Sequence, residues 1–224
     1  IPSSAGLYDF PVVDKTLLRE DRNEFLARGF DSTELHRATT SGSTGTPFEV
    51  FHTPDKRRRI TAEAIYFGEQ AGFTFGSRLY HVKIWSARNA KSSLERVRQN
   101  VVPIDVLHFD VEAAMGLLEG IYSRTQPSSL IAYSSALRTI AQALNQIPSD
   151  KTDKWKGSRR LRSIIGQSEA LDEETRRIIH ERLGVVPVGR YGAEEVGIIA
   201  QQQSAVGDSV YKVNSASQIV EILD

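Results

Sequence analysis

Apolar and polar positions follow two different periods along the middle of this chain, and the switches between them predict its elements. Residues 104–109 form a short apolar-rich run that reads as a strand, and Asp110 then stands as the N-cap of a helix over 111–122. A second run, Ser129-Leu130-Ile131-Ala132, precedes Ala136, Leu137, Ile140 and Leu144, whose spacing predicts one buried helix face. Residues 161–165 read as the next strand. Asp172 then caps a helix over 173–183, with Glu173 and Glu174 in its first turn and Gly184 placed to stop it. Val185-Val186-Pro187-Val188 reads as a further strand, in which Pro187 lacks a ladder donor and so suggests an edge or a strand end.

Towards the start of the chain, Phe48-Glu49-Val50-Phe51 is strand-like, and Thr53-Pro54-Asp55 opens a helix over 56–71 that Gly72 closes. The polar, charged run 149–157 is expected to be a surface loop inside one domain, because the alternation resumes after it. No internal repeat or low-complexity tract is present. Strand–helix–strand spacing of this kind predicts an α/β fold, a mainly parallel sheet flanked by helices. In such open sheets ligands bind beyond the carboxyl ends of the strands. Tyr133-Ser134, Gly166-Gln167-Ser168-Glu169 and Gly189-Arg190-Tyr191-Gly192 each follow a strand, so three loops are expected to converge on one crevice.

Composition narrows the function classes. With 28 basic and 28 acidic side chains among 224 residues, no global field draws the chain to nucleic acid or an anionic membrane. It has no cysteine, which removes disulfides, thiolate catalysis and cysteine metal sites and fits a cytoplasmic location. No run of about 18 apolar residues could span a membrane, and the first residues show no basic-then-apolar layout. His36, His52, His81, His108 and His180 form no ligand-spaced pair. His81, near Trp85, reads as packing, although a strand position before the crevice keeps it of interest. Lys56-Arg57-Arg58-Arg59 reads as a solvated helix face. No Gly-x-Ser-x-Gly elbow is present. Residue 1 is not Met, and residues 219–224 read as a strand without its partner, so the chain is expected to be a fragment of a longer one.

The richest stretch chemically is Thr40-Ser41-Gly42-Ser43-Thr44-Gly45-Thr46-Pro47. Small hydroxyls and glycine amides can wrap a phosphate where side chains are small and φ is free. It is not a Walker A loop, because Thr46-Pro47 follow Gly45 where that motif places Lys and Ser/Thr. By itself such a run reads more readily as a flexible turn than as a phosphate loop. Tyr191-Gly192-Ala193-Glu194-Glu195 is equally two-sided. Its carboxylates could open a solvated helix, or the ring could stack on a base while a carboxylate holds Mg²⁺.

The order of these pieces, with Gly166–Glu169 between them, resembles the adenylate-forming superfamily. Within it the chain looks most like the phenylacetate–CoA ligase family, particularly its CapK-like capsular polysaccharide branch. Phe10-Pro11-Val12-Val13-Asp14-Lys15-Thr16-Leu17-Leu18-Arg19 is similar to that family's Pro-x-x-x-Lys-x-x-Leu lead-in. Tyr211-Lys212-Val213-Asn214-Ser215 and Val220-Glu221-Ile222-Leu223-Asp224 are similar to its late core strands. The resemblance implies an incomplete N-terminal core. Residues 1–224 would be a partial large AMP-binding domain, with the small C-terminal domain and its catalytic lysine outside the chain.

The same resemblance implies site roles. Ser41, Gly42, Ser43, Thr44, Gly45 and Thr46 would hold the ATP phosphates. Gly166, Gln167, Ser168 and Glu169 would line the adenine pocket, and Tyr191 with Gly192 would pack on the base. Glu195 would act catalytically through Mg²⁺, with Thr44 as a second metal contact. Tyr133 and Ser134 would shape the acid pocket. Glu194 stands where the family has Ser or Thr, Ala170 where it has Pro, and the ribose-binding aspartate lies past residue 224. The implied function is ATP-dependent activation of a small carboxylic acid to an acyl-adenylate, with ATP and Mg²⁺ as cofactors and CoA or another nucleophile as the acceptor. The implied partners are ATP and the acid, with neither nucleic acid nor membrane. Two alternatives stay open: a noncatalytic nucleotide- or acyl-binding module built on that fold, and an α/β domain that binds no nucleotide.

Overall fold

The strands form two sheets. In chain order the elements are α1 (Lys15–Glu20), β1 (His36–Thr40), β2 (Phe48–His52), α2 (Pro54–Gln70), β3 (Arg78–Lys83), α3 (Ser93–Gln99), β4 (Val101–Asp105), α4 (Val111–Ser123), β5 (Ser128–Tyr133), α5 (Ser134–Gln146), α6 (Ser149–Ser158), β6 (Leu161–Gln167), α7 (Glu173–Leu183), β7 (Val188–Ala193), β8 (Gly197–Gln202) and β9 (Tyr211–Val213). The computed structural model describes residues 6, 10–20, 24–26, 29–31, 33–40, 48–85, 90–203 and 210–222. The chain divides into two compact units, residues 1–59 and 60–224. In the first, β1 and β2 pair antiparallel, with His36 opposite His52 and Thr40 opposite Phe48.

The second unit holds a seven-stranded sheet in the order β4-β3-β5-β6-β7-β8-β9. β4, β3, β5, β6 and β7 run parallel, while β7–β8 and β8–β9 are antiparallel. This is the expected α/β fold with a mainly parallel sheet flanked by helices. Val82, Leu130, Ala132 and Ile164 point to one face, where they pack with Leu118 and Ile121 of α4, Leu137 and Ile140 of α5, and Ile179 of α7. On the other face Ile131, Ile165 and Val188 pack with Ala71, which follows α2. Period-2 alternation in the strands therefore feeds two separate apolar layers.

Local signals account for most boundaries. The side chains of Asp110 and Asp172 accept from the backbone N–H groups of Ala113 and Thr175, both at 2.8 Å, as N-caps do. Gly184 ends α7 with φ +72° and donates its N–H to His180 O at 2.8 Å. Thr53 Oγ1 accepts from Lys56 N at 3.2 Å to open α2. The capping box of Ser92 and Glu95 opens α3, a helix with no buried residue and hence no apolar period to read.

Four expectations are corrected. The strand expected over 104–109 lies at 101–105, because the Asp105 carboxylate accepts from Leu107 N at 3.2 Å and turns the chain into one 3₁₀ turn. Residues 185–187 are not strand. The Pro187 carbonyl accepts from Arg176 Nε at 2.9 Å, and the strand begins at Val188 and runs on through Gly189, Arg190, Tyr191 and Gly192, all four of which were expected in a loop. The expected loop over 149–157 is helix α6, which buries Thr152 and Trp155 at i, i+3. Residues 219–222 carry no regular structure, and the end of that expected strand, 223–224, lies outside the described residues. β4 is one of the two edge strands of the seven-stranded sheet, the other being β9, and Leu79 N donates to Asn100 O at 2.9 Å. In a parallel ladder that register turns the peptide groups of Val102 and Ile104 towards β3 and those of Val101, Pro103 and Asp105 outwards.

Candidate functional site at the carboxyl ends of the parallel strands

Three predicted segments meet at one end of the sheet. Ala132 of β5 is level with Gly166 of β6, which is level with Gly189 of β7, and Tyr133 is level with Gln167. The buried Ser134 hydroxyl, at the first position of α5, donates to the Glu169 carbonyl at 2.9 Å and ties the β5 and β6 ends together. A Cβ on Gly166 would lie 3.0 Å from Ser134 Oγ and 3.1 Å from a Leu137 methyl, so glycine lets α5 start this close to the strand. Ser168 follows the strand with φ +72°, which turns the chain away from β6 and leaves Ser168 and Glu169 exposed.

Tyr191 and Gly192 lie within β7, opposite Ala200 and Ile198 of β8, with a bulge between them. A Cβ on Gly192 would stand 2.8 Å from the Gly197 carbonyl oxygen, an approach that only glycine permits. The Tyr191 ring is 60% exposed at this end of the sheet, which is unusual for an aromatic in a paired strand and suits a stacking platform. Glu194 and Glu195 occupy the turn between β7 and β8, so their carboxylates open a hairpin and not a helix. Ser41, Gly42, Ser43, Thr44, Gly45 and Thr46 lie outside the described residues. Among the described residues no cluster of three His, Asp or Glu side chains could hold a metal alone. A Mg²⁺ at Glu195 would therefore take its other ligands from phosphate oxygens, water or residues elsewhere, as Mg²⁺ commonly does.

The register also brings together residues that the sequence reading did not assign. His81, Ile131, Ile165 and Val188 form one level across the Ala71 face of the sheet. Two residues further on, the same face carries Lys83, Tyr133, Gln167 and Arg190, so apolar side chains give way to polar ones at the strand ends. Gln167 Nε2 lies 3.2 Å from His81 Nε2. The amide can only donate there, so Nε2 accepts and Nδ1 carries the proton. The imidazole is also edge-on to Trp85, with centroids 5.5 Å apart, and Trp85 Nε1 donates to the His81 carbonyl at 3.1 Å. Burial, reinforced by Lys83, Lys91 and Arg190, pushes His81 down to about 3, so the ring is neutral at physiological pH.

Lys83 is held below its ordinary value by burial, with Glu194 acting the other way and Lys91 adding to the depression. Its ammonium lies 4.4 Å from the centroid of the Trp85 ring. Arg190 is lowered to about 10 by burial. Its Nε donates to Gln201 Oε1 at 2.9 Å, and Gln201 in turn donates to the Phe67 carbonyl of α2 at 2.7 Å. The signal that could have found this group is the alternation of His81 and Lys83 around Val82, and a cation set between Gly189 and Gly192 beside Tyr191.

No protein-family model matches the chain, and no curated protein matches it by sequence. Solved structures do. One is an open conformation of 2-hydroxyisobutyryl-CoA ligase in complex with 2-HIB-AMP and CoA, at TM-score 0.59 and 16% identity, over 88% of this chain and 46% of that one. A malonyl-CoA ligase ternary product complex with methylmalonyl-CoA and AMP bound matches at TM-score 0.50 and 20% identity, over 75% and 34%. The amide bond synthetase McbA from Marinactinospora thermotolerans matches at 0.51 and 18%, over 80% and 35%. The chain thus spans less than half the length of each of these proteins. At such identities the likeness is one of fold, and the fold of this chain is the one that part of these ligases and the amide bond synthetase also adopts.

Proposed function

We propose that this chain is the nucleotide-binding part of an ATP-dependent acid ligase. A substrate carboxylate oxygen attacks the α-phosphorus of ATP, the α–β phosphoanhydride bond breaks, and acyl-adenylate and pyrophosphate result. The observation that carries this reading is the exposed Tyr191 ring beside Gly192, at the strand ends where β5, β6 and β7 meet. The fold shared with a ligase whose structure holds 2-HIB-AMP supports it. In this reading Gly166, Gln167, Ser168 and Glu169 border the adenine, and Tyr133 and Ser134 border the acid. The Ser134 hydroxyl contributes by holding the Glu169 carbonyl. By the order of the motifs the 41–46 loop would take the phosphates, and Glu195 and Thr44 would be contacts for Mg²⁺, whose charge would offset that of the phosphate oxygens. Such chemistry asks the protein mainly for positioning and electrostatics.

The order of the motifs supports placement in the phenylacetate–CoA ligase family and its CapK-like branch. Residues 1–224 then form part of a large AMP-binding domain, and transfer of the acyl group to CoA or another nucleophile follows adenylation. Calorimetric titration with a nonhydrolysable ATP analogue, with and without Mg²⁺, tests the core of the proposal. Saturable, magnesium-dependent binding is expected. Tyr191→Ala should weaken it by about 1–2 kcal/mol, the scale of base–aromatic stacking. An unchanged affinity in that variant removes the ring from the nucleotide site.

A further inference from the structure

A separate pair of cations stands at the opposite end of the sheet and borders open space. Helix α3 and the edge strand β4 flank a groove of about 350 Å³, lined on its polar side by Arg78, Ser93, Arg96 and Asn100. That volume lies in the range of small-molecule sites, about 300–1,000 Å³. Arg78 opens β3 and Val101 opens β4, so the groove lies at the amino ends of the strands, away from Tyr133, Gln167 and Tyr191. Among the described residues no acidic side chain lines it.

The two guanidiniums reach the groove from different elements. Leu79 is level with Val101, which sets Arg78 beside Asn100, and Arg78 Nε donates to Asn100 Oδ1 at 3.3 Å. Asn100 is fixed in turn: it caps α3 with φ +50°, and its Nδ2 donates to the Gly76 carbonyl at 3.1 Å. Arg96 stands one turn before Asn100 on the same helix face, and its Nη2 donates to Ser93 Oγ at 3.2 Å. Each arginine is therefore oriented by a neutral side chain, with no carboxylate partner among the described residues. Glu95, the one acid of α3, is taken by the N–H and hydroxyl of Ser92, both at 2.8 Å. A basic residue in the last turn of α3 complements the helix dipole and would account for Arg96 alone. It does not account for Arg78, a half-buried strand residue held at that turn by Asn100.

We propose that this groove binds a small soluble phosphate monoester, its phosphate between Arg78 and Arg96 and its carbon body against Val97, Val101 and Pro103. Two fixed positive charges call for a dianion, and a tetrahedral head offers three oxygens to donors arriving from two directions. A carboxylate carries one charge and two oxygens in one plane, enough for one guanidinium. The apolar wall gives a use to Val97, which is 80% exposed on a helix that buries none of its residues. A ligand seated here does not touch the strand-end site, so the proposal is independent of the ligase reading.

The test is an amide NMR titration of the 224-residue chain with phenyl phosphate, inorganic phosphate and benzoate. Phenyl phosphate should move the amides of residues 93–102 saturably. It should bind about tenfold more tightly than benzoate and at least about threefold more tightly than inorganic phosphate. Arg78→Gln and Arg96→Gln should each weaken it by about tenfold, whereas Arg98→Gln, outside the groove lining, should change it by less than about twofold. Circular dichroism reports folding, and the exposed Arg96 carries the test if Arg78→Gln unfolds. Equal weakening by all three variants overturns the proposal, because diffuse surface charge behaves that way. Equal binding of benzoate, or no saturable shift over 93–102, overturns it as well. Shifts confined to residues 133 and 166–192 also overturn it and assign the phosphate to the strand-end site. Arg96-dependent pelleting with phosphatidylcholine vesicles that contain phosphatidic acid overturns the soluble ester in favour of a lipid head group.

Discussion

Trp155→Ala should destabilise the second unit by about 3–5 kcal/mol, the cost of emptying a buried indole site. Trp155 lies on α6, is nearly fully buried, and stacks on Tyr122 of α4 with ring centroids 4.8 Å apart and an interplanar angle of 4°. Lys151, one turn earlier, holds its ammonium 5.3 Å from the centroid of the same ring and bonds Glu119 of α4 at 2.5 Å. The exposed ion pair adds little; the indole carries the docking of α6. Since folded domains are typically stable by about 5–15 kcal/mol, the variant should be close to the limit of folding. Urea unfolding followed by far-UV circular dichroism measures it, with Trp155→Phe expected to recover much of the loss. A cost below about 0.5 kcal/mol is what a surface loop would show, and would mean that α6 does not dock as described.

Acidification should remove stability through His81 before most carboxylates titrate. The imidazole has an ordinary value near 6.5 when unfolded and about 3 when folded. Its folded pKa is therefore depressed, and the unfolded state binds the proton first. The stability it supplies is complete above about pH 6.5 and is lost as pH falls towards 3, amounting to about 2–3 kcal/mol by pH 4.5. Asp172 reports in a lower window. Burial opposes it, but bonds from Thr175 and Arg138 hold its carboxyl below 3.8. His81→Gln retains a hydrogen-bonding partner for Gln167 and cannot titrate. Urea unfolding at pH 7 and pH 4.5 should show a smaller acid loss in the variant, by about 2–3 kcal/mol. Identical losses in the two proteins would falsify the depressed imidazole.

The legible part of this fold was the part whose burial has a period. Leu137, Ile140 and Leu144 mark α5 because three turns face one core, and Asp110, Asp172 and Gly184 mark ends because capping is local chemistry. Helix α6 was missed because its stripe amounts to Thr152 and Trp155 in an otherwise charged run, too few positions to show a period. The start of β7 was misplaced because Val185 and Val186 look like strand, whereas a side chain eleven residues earlier takes the Pro187 carbonyl. The strand-end convergence of Tyr133, Gln167 and Tyr191 followed from topology, since parallel strands with helical crossovers must present their ends together. The cationic group did not. Arg190 is far in sequence from Lys83 and Lys91, and only the pleat and register put Lys83 and Arg190 on one face with His81.

The outward-facing proline on β4 has a consequence for how the molecule meets its own copies. A strand approaching that open side would seek amide donors from Val101, Pro103 and Asp105, and the middle one does not exist. The pyrrolidine ring also occupies the space where the incoming carbonyl would sit. Sheet growth from this side would thus begin with a broken ladder on a five-residue edge, which opposes at β4 the strand recruitment that an open parallel edge otherwise invites.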